Sequence, residues 1–358
     1  MSEPVRILHI ANSLGLGGTE KVLQLFASHL NPRQWECVVY SPRDGERGQM
    51  LRAMGLTTYI HDDLLHILKT VRPTLVHVHR AGWPEPALMR PLRLCNIPVV
   101  ETNVFGHHDP SPSGRIVARH LFVSHFCAKR YSVQYGIPST PPLYDVLYNP
   151  VDTDFFAKAH SSSLDFSNPV VGRISRQDPG KWSSMALDFL PYALERVPEM
   201  RYRVIGATPK ARTLAEQHGV AHCVEFLPGV RTDAELAEFY KSCSVLAHAN
   251  DRGESFGLVI AEAMACGLPV VTHPSPPPRD NAQVELVENG VTGIVVRNAE
   301  EYGRAVSHLL THPELAQKLG RAGQQKAQRL FRVQTLVRRL EAIYTSVLAE
   351  HGVTVHAH

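Results

Sequence analysis

Glu254-Ser-Phe-Gly257-Leu-Val-Ile-Ala-Glu262, continuing as Ala-Met-Ala-Cys-Gly267-Leu-Pro269-Val-Val-Thr272, decides how this chain is read. A polar loop opens into a short helix that ends at Gly267. Pro269 then stops the helix, and a buried apolar strand follows. Phe256, Leu258, Val259, Ile260, Ala263 and Met264 would pin the helix to a core. Two carboxylates remain, Glu254 just ahead of the helix and Glu262 about two turns in. The first turn offers the backbone amides of Gly257 and Leu258 at the positive end of the helix dipole, a site suited to phosphate. Carboxylates cannot usefully bind phosphate, so their targets would be hydroxyls. Taken alone, the pair is equally a favourable charge at a helix start and a solvated helix face.

The segment as a whole resembles the Glu-x7-Glu signature of retaining GT-B glycosyltransferases of family 4. The resemblance implies an α/β chain of two Rossmann-like domains facing across a cleft, with a C-terminal helix crossing back to the first domain. It implies transfer of a sugar from a nucleoside-diphosphate sugar, a UDP- or GDP-sugar, to an acceptor hydroxyl with retention of configuration and without a metal or other cofactor. In this stretch it places donor contacts at Glu254, Ser255, Phe256, Gly257, Leu258 and Glu262, with Glu254 on the sugar and Glu262 on the ribose.

The length of 358 residues suits two domains, and 44% hydrophobic with 20% charged residues is ordinary globular composition. A net charge of +3 is too small to argue for nucleic acid as the partner, and none is expected. The six cysteines contain no Cys-x-x-Cys pair and read as reduced, which points to the cytoplasm. The N-terminus, Met-Ser-Glu-Pro-Val-Arg, is expected to run straight into a strand, with no signal peptide and no membrane-length apolar run. The tail from His351 to His358 is read as frayed.

Apolar runs alternate with helical patterns from Arg6 to Tyr148, which is βαβ alternation and a parallel sheet. Gly15, Gly17 and Gly18 fall where the first strand meets the first helix, the corner that faces the crevice of an open sheet. Their spacing departs from the dinucleotide fingerprint. It resembles the Gly-Gly-x-Glu loop that GT-B enzymes set against donor and acceptor, which would bring Gly17 and Gly18 to the ligand. His77 and His79 lie on one face of a strand; a third ligand would be needed for a metal site, so polar strand ends near the crevice are the expected role. The family carries a functional histidine near Val104, and here His107 or His108 is the available replacement. Arg115, Arg119, Lys129 and Arg130 read either as a solvated helix face or as a surface for an anionic lipid acceptor at the inner face of the membrane.

Tyr148-Asn149-Pro150-Val151-Asp152 resembles the element leading out of the first GT-B domain, and the Ser-rich stretch after Lys158 is taken as the boundary. The expected domains are therefore residues 1–160 with helix 332–350, which take the acceptor, and residues 161–331, which take the donor. Arg173 and Lys181 flank a glycine-containing loop and suit a diphosphate leaving group. The intervening Asp178-Pro-Gly departs from the family pattern and makes Arg176 a rival. Gly229 and Val230 match the loop whose backbone meets the nucleobase. The proline-fixed stretch Pro274 to Asp280 replaces a glycine-rich family loop, with Asn281 expected at a helix start. Together these imply catalytic roles for Glu254, Arg173, Lys181 and His107, and a glycan, lipid-linked or small-molecule acceptor. The alternative is a non-catalytic nucleotide-sugar-binding subunit, which the missing histidine at Val104 favours.

Overall fold

A computed structural model describes residues 3–159 and 164–355 of the chain. The chain divides into two compact units, Met1–Pro150 with Val333–His358, and Val151–Arg332.

The first unit is a seven-stranded parallel sheet of β1 (Val5–Ala11), β2 (Trp35–Ser41), β3 (Thr57–Ile60), β4 (Leu75–Arg80), β5 (Val99–Asn103), β6 (Val117–Phe122) and β7 (Tyr144–Val146). Their order is β3-β2-β1-β4-β5-β6-β7. Order reverses between β1 and β4, so the loops leaving β1, β4 and β5 are neighbours at the C-terminal edge. The sheet is buried on both faces, and its central strands are accordingly near-continuous apolar runs such as Ile7, Leu8 and Ile10 or Val76 and Val78.

The second unit repeats the plan with β8 (Val170–Ile174), β9 (Arg201–Ile205), β10 (Val224–Leu227), β11 (Val245–Ala247), β12 (Val270–Thr272) and β13 (Gly293–Val295), ordered β10-β9-β8-β11-β12-β13. Here the order reverses between β8 and β11, which sets their C-terminal loops side by side. Phe189, Tyr202, Tyr302 and Leu309 are among its fully buried side chains.

The boundary expected at residue 160 lies earlier, at Pro150. The helix Thr153–Ala159 belongs to the second unit because Phe156 is buried there, its ring centroid 6.1 Å from that of Tyr240. Val151 adds a backbone bond of 2.8 Å to the Phe331 carbonyl, and Asp154 pairs with Arg332 at 2.7 Å. The Ser-rich residues 160–163 of the expected linker lie outside the described residues, as do His356 and His358 of the tail. The helix Val333–Glu350 packs on the first unit along Val333, Leu336, Val337, Leu340, Tyr344, Val347 and Leu348, a 3.6-residue stripe.

Of the basic residues expected on one face, Arg115 and Lys129 are exposed on separate elements, whereas Arg119 and Arg130 are engaged elsewhere. Residues 117–122 are strand, Arg119 is buried against Glu350, and Arg130 donates to the Phe105 carbonyl. His77 and His79 are not strand ends either. They are enclosed with His9 and Tyr344, because β1 and β4 pair in register with His9 opposite His77. His9 Nδ1 lies 3.2 Å from His79 Nε2, and the Tyr344 hydroxyl reaches His77 Nδ1 at 2.5 Å and His9 Nε2 at 3.3 Å. Thr102 completes the chain at 2.8 Å from His77 Nε2. One nitrogen from each of the three rings lies within 4.8 Å of the others, so the third partner that the sequence lacked is supplied by β1. Burial holds all three imidazoles neutral: His9 is pushed down to about 3, and His77 and His79 well below the usual range.

Candidate functional site

The loop after β11 presents Glu254, and the helix Leu258–Ala265 follows at once. Gly257, the N-cap, has φ of 105°, a region that side-chain-bearing residues avoid, so the sharp entry into this helix requires glycine. At the other end the Gly267 amide bonds to the Met264 carbonyl at 2.9 Å and the Leu268 amide to Ala263 at 3.0 Å, closing the helix as the sequence suggests. The amides of the first turn have no intrahelical acceptor and carry the positive end of the dipole.

Glu254 is the centre of a four-residue polar cluster. Its Oε2 pairs with Lys181 Nζ at 2.9 Å, while its Oε1 accepts from Asn250 Nδ2 at 2.6 Å and lies 3.2 Å from His248 Nε2. Burial alone would raise the carboxyl, but the Lys181 ammonium and His248 outweigh it and hold Glu254 down at about 2. His248 is fixed from behind: its Nδ1 meets Thr272 Oγ1 at 3.0 Å and its carbonyl accepts from the Tyr302 hydroxyl at 3.0 Å. The side chains of Lys181 and Glu254 keep 23% and 15% exposure, whereas His248 keeps 7%. The reachable part of the cluster is therefore the ion pair, and the histidine and asparagine form its floor.

The backbone of the same loop is stitched to the proline-rich segment after β12. Gln283 Oε1 accepts from the Glu254 amide at 3.0 Å, and its Nε2 donates to the His273 carbonyl at 3.1 Å and Ser275 Oγ at 2.9 Å. The Ala282 amide bonds to the Glu254 carbonyl at 2.7 Å, and the Asp280 amide to that of Arg252 at 3.1 Å. Gly253, with φ of 69°, sits where a Cβ would overlap the Asp280 carbonyl, so only glycine permits the approach. Asn281 does not cap the short helix Gln283–Leu286; its Oδ1 accepts from the Ser275 amide at 2.8 Å and shapes the proline loop instead.

Arg173 at the end of β8 is buried, with its Nη2 donating to the Lys181 carbonyl at 2.6 Å and the Ala249 carbonyl at 3.1 Å. Its guanidinium lies over the Trp182 ring at 4.3 Å, and burial lowers its pKa. It thus braces the turn Pro179–Lys181, which Asp178 caps through the Gly180 amide at 2.8 Å. Arg176, the rival, is exposed. Glu262 is enclosed in its helix and accepts from the Tyr240 hydroxyl at 3.2 Å. Phe256 turns inward, its ring 5.2 Å from that of Phe331, and Ser255 and Leu258 are half-buried. Gly229 is exposed in the turn after β10 with Val230 half-buried beside it.

In the first unit, Gly17 caps the helix Gly18–His29 with φ of −102°, a conformation open to any residue. What its lack of a side chain does provide is room for the Glu20 carboxylate, which accepts from Ser13 Oγ at 2.7 Å. His107 and His108 follow β5. His107 Nδ1 is 3.3 Å from the Tyr135 hydroxyl and His108 Nδ1 is 2.8 Å from that of Tyr131. Beneath them lies a buried ionic network that the sequence did not signal: Glu101 pairs with Arg80 at 2.5 Å and with His120, and Arg80 also meets Asp109 at 3.2 Å. Burial would raise the Glu101 carboxyl, but His120 and Arg80 carry it below the ordinary range. His248, Asn250 and Gln283 were equally missed. The only available signal was a polar residue ending each apolar run, since strand ends in such a sheet face the crevice.

Two open parallel sheets of this strand order, one in each unit, match the GT-B fold. Residues 160–326 match the family described as glycosyl transferases group 1. The chain is 32% identical over 217 residues to the GDP-mannose-dependent α-(1-6)-phosphatidylinositol monomannoside mannosyltransferase of Mycolicibacterium smegmatis, covering 56% of this chain and 55% of that protein. It is 29% identical over 291 residues to the protein of the same name from Mycobacterium tuberculosis, covering 73% of each. Among solved structures, Anabaena HepE in complex with UDP and glucose superposes with a TM-score of 0.78 at 20% identity, covering 96% of this chain and all of that one (100%). The family match thus lies in the second unit, and the chain spans 55% of the length of the first of these relatives. No helix among the described residues is long and apolar enough to cross a membrane.

Proposed function

We propose that this chain is a retaining, metal-independent glycosyltransferase that moves a hexose from a UDP- or GDP-sugar to an acceptor hydroxyl. The observation that carries the reading is the Lys181–Glu254 pair, reachable at one end of a buried polar floor and set just before the helix Leu258–Ala265. A nucleotide sugar replaces this pairing with two complementary ones. The diphosphate takes the ammonium and the helix amides, and the sugar hydroxyls take the carboxylate, which is ionised and already oriented by Asn250 and His248. As the anomeric bond lengthens, charge grows on the diphosphate, and Lys181 with the amides of Gly257 and Leu258 stabilises it more than the ground state. These groups supply the neutralisation that a metal provides elsewhere.

Arg173 acts through the Lys181 backbone in this reading, holding the loop rather than the phosphate. Glu262 serves the ribose, with Tyr240 fixing its carboxylate. Gly229 and Val230 meet the base, and Ser255 and Phe256 contribute backbone. Gly17 and Gly18 belong with the acceptor and donor phosphates. The names of the relatives support a lipid-linked or polyol acceptor and a role in cell-envelope glycan assembly at the inner face of the membrane.

A melting panel with UDP-, GDP-, ADP- and dTDP-sugars tests the reading, because a ligand that binds only the folded state raises the midpoint. One nucleotide series should stabilise the wild type and fail to stabilise Lys181→Ala. No shift with any donor, and no nucleotide release on long incubation, would refute it.

A further inference from the structure

We propose that Trp83, Phe105 and His107 form a stacking platform for a cyclic polyol, the pyranose or cyclitol ring of the acceptor. The assignment to the acceptor rests on the glycosyltransferase reading; the platform itself rests on the first unit alone.

Trp83 is 48% exposed, an unusual position for the largest apolar side chain. It does not stand alone. Its ring centroid lies 6.2 Å from Phe105 at an interplanar angle of 19°, and 5.4 Å from His107 at 34°. Phe105 and His107 are 6.4 Å apart at 53°, so the three rings cluster pairwise, with Trp83 and Phe105 near-parallel and His107 tilted against them. They come from the loops leaving β4 and β5, on the C-terminal edge beside the strand-order reversal, where open sheets place their ligands.

Both loops are held from below rather than left mobile. Arg80 Nη1 donates to the Trp83 carbonyl at 2.6 Å, and the Val104 amide bonds to the Arg80 carbonyl at 2.9 Å. Asn103 ties the second loop, donating to the His107 carbonyl at 2.8 Å and accepting from the Gly106 amide at 2.8 Å. Arg80 is itself locked between Glu101 and Asp109. The buried ionic network therefore has a use: it fixes the backbone of an exposed aromatic surface in advance, which lowers the ordering cost of binding.

The rim identifies the occupant. Asn12, from the loop after β1, donates to Glu85 at 2.9 Å, so an amide and a carboxylate with spare hydrogen-bonding capacity flank the loop that carries Trp83. The near-parallel Trp83 and Phe105 rings, with a tilted imidazole beside them and an amide–carboxylate pair at the end of the same loop, match a ring that shows C–H bonds on one face and hydroxyls around its perimeter. His107 enters as a wall of this platform.

The fluorescence of the wild-type protein tests this directly. Of the three tryptophans, Trp35 and Trp182 are buried at 2% and 8% exposure, so acrylamide quenches Trp83 selectively. The probes are myo-inositol and methyl α-D-mannopyranoside, with glycerol as the acyclic control and Trp83→Phe to confirm the source of the signal. One or both cyclic probes should shield Trp83, and Phe105→Ala, checked for an unchanged melting point, should weaken that probe about five-fold. Absence of shielding by both cyclic probes, or equal shielding by glycerol, overturns the platform. If the rings still shield Trp83 while no nucleotide sugar binds, the glycosyltransferase reading fails and the polyol site stands.

Discussion

Acidification from about pH 7.5 to about pH 5.0 weakens the first unit at its enclosed histidines. Burial depresses His9 from 6.5 to about 3 in the folded chain. At pH 5 the unfolded imidazole is charged and the folded one is not, so the unfolded state binds the extra proton. The stability contributed by the neutral ring is therefore whole above 6.5 and drains as pH falls from 6.5 toward about 3. Over the 1.5 units to pH 5, His9 alone costs about 2 kcal/mol. His77 and His79 shift in the same direction and add to the loss. Carboxylates do not mask the effect, because Glu254 at about 2 and Glu101, also depressed, titrate below this window. Urea unfolding followed by far-ultraviolet circular dichroism at both pH values measures it, with His9→Gln recovering about 2 kcal/mol of the difference. Equal stability at the two pH values would refute the argument, since it would mean that the rings are hydrated or already charged.

Four other expectations follow from the second unit. Lys181→Ala should lower turnover by about two orders of magnitude or more with the fold intact, measured by nucleotide release and circular dichroism. It should also let the Glu254 carboxyl rise from about 2, because its largest stabilising charge is gone, which carbon-13 titration would read. Glu262→Gln should weaken nucleotide binding in the melting panel while keeping the Tyr240 hydroxyl satisfied; unchanged binding would remove Glu262 from the site. Gly257→Ala should cost about 1–2 kcal/mol in urea unfolding, the penalty of a Cβ at positive φ. Arg332→Ala should cost under about 1 kcal/mol, because its pair with Asp154 is partly exposed.

The alternating apolar runs made both sheets legible, because a parallel strand buried on two faces has no polar partner residues to blur it. The stretch Glu254 to Thr272 was equally readable: glycine, proline and the spacing of two acids are local signals. What escaped were contacts made by register and by side chains far apart in the chain. His9 and His77 are each unremarkable until β1 and β4 pair, and Tyr344 joins them across 267 residues. The domain boundary was misplaced for a related reason. The Ser-rich stretch is locally linker-like, but Phe156 and Asp154 find their partners near residues 240 and 332. Arg173 and Lys181 were read as equals from the loop they flank, yet one is sealed against carbonyls and the other remains open to solvent.

The Gln283 side chain carries one more implication, for anyone who would retool the donor preference. The proline segment from Pro274 to Asp280 looks like an exchangeable cassette, flanked by regular structure and absent from the usual pattern. Because a single amide spans from the Glu254 backbone to His273 and Ser275, transplanting that cassette without Gln283 would tilt the acid along with it. Under the proposed function, selectivity and turnover would be mechanically geared, and libraries that diversify the segment should hold this glutamine constant.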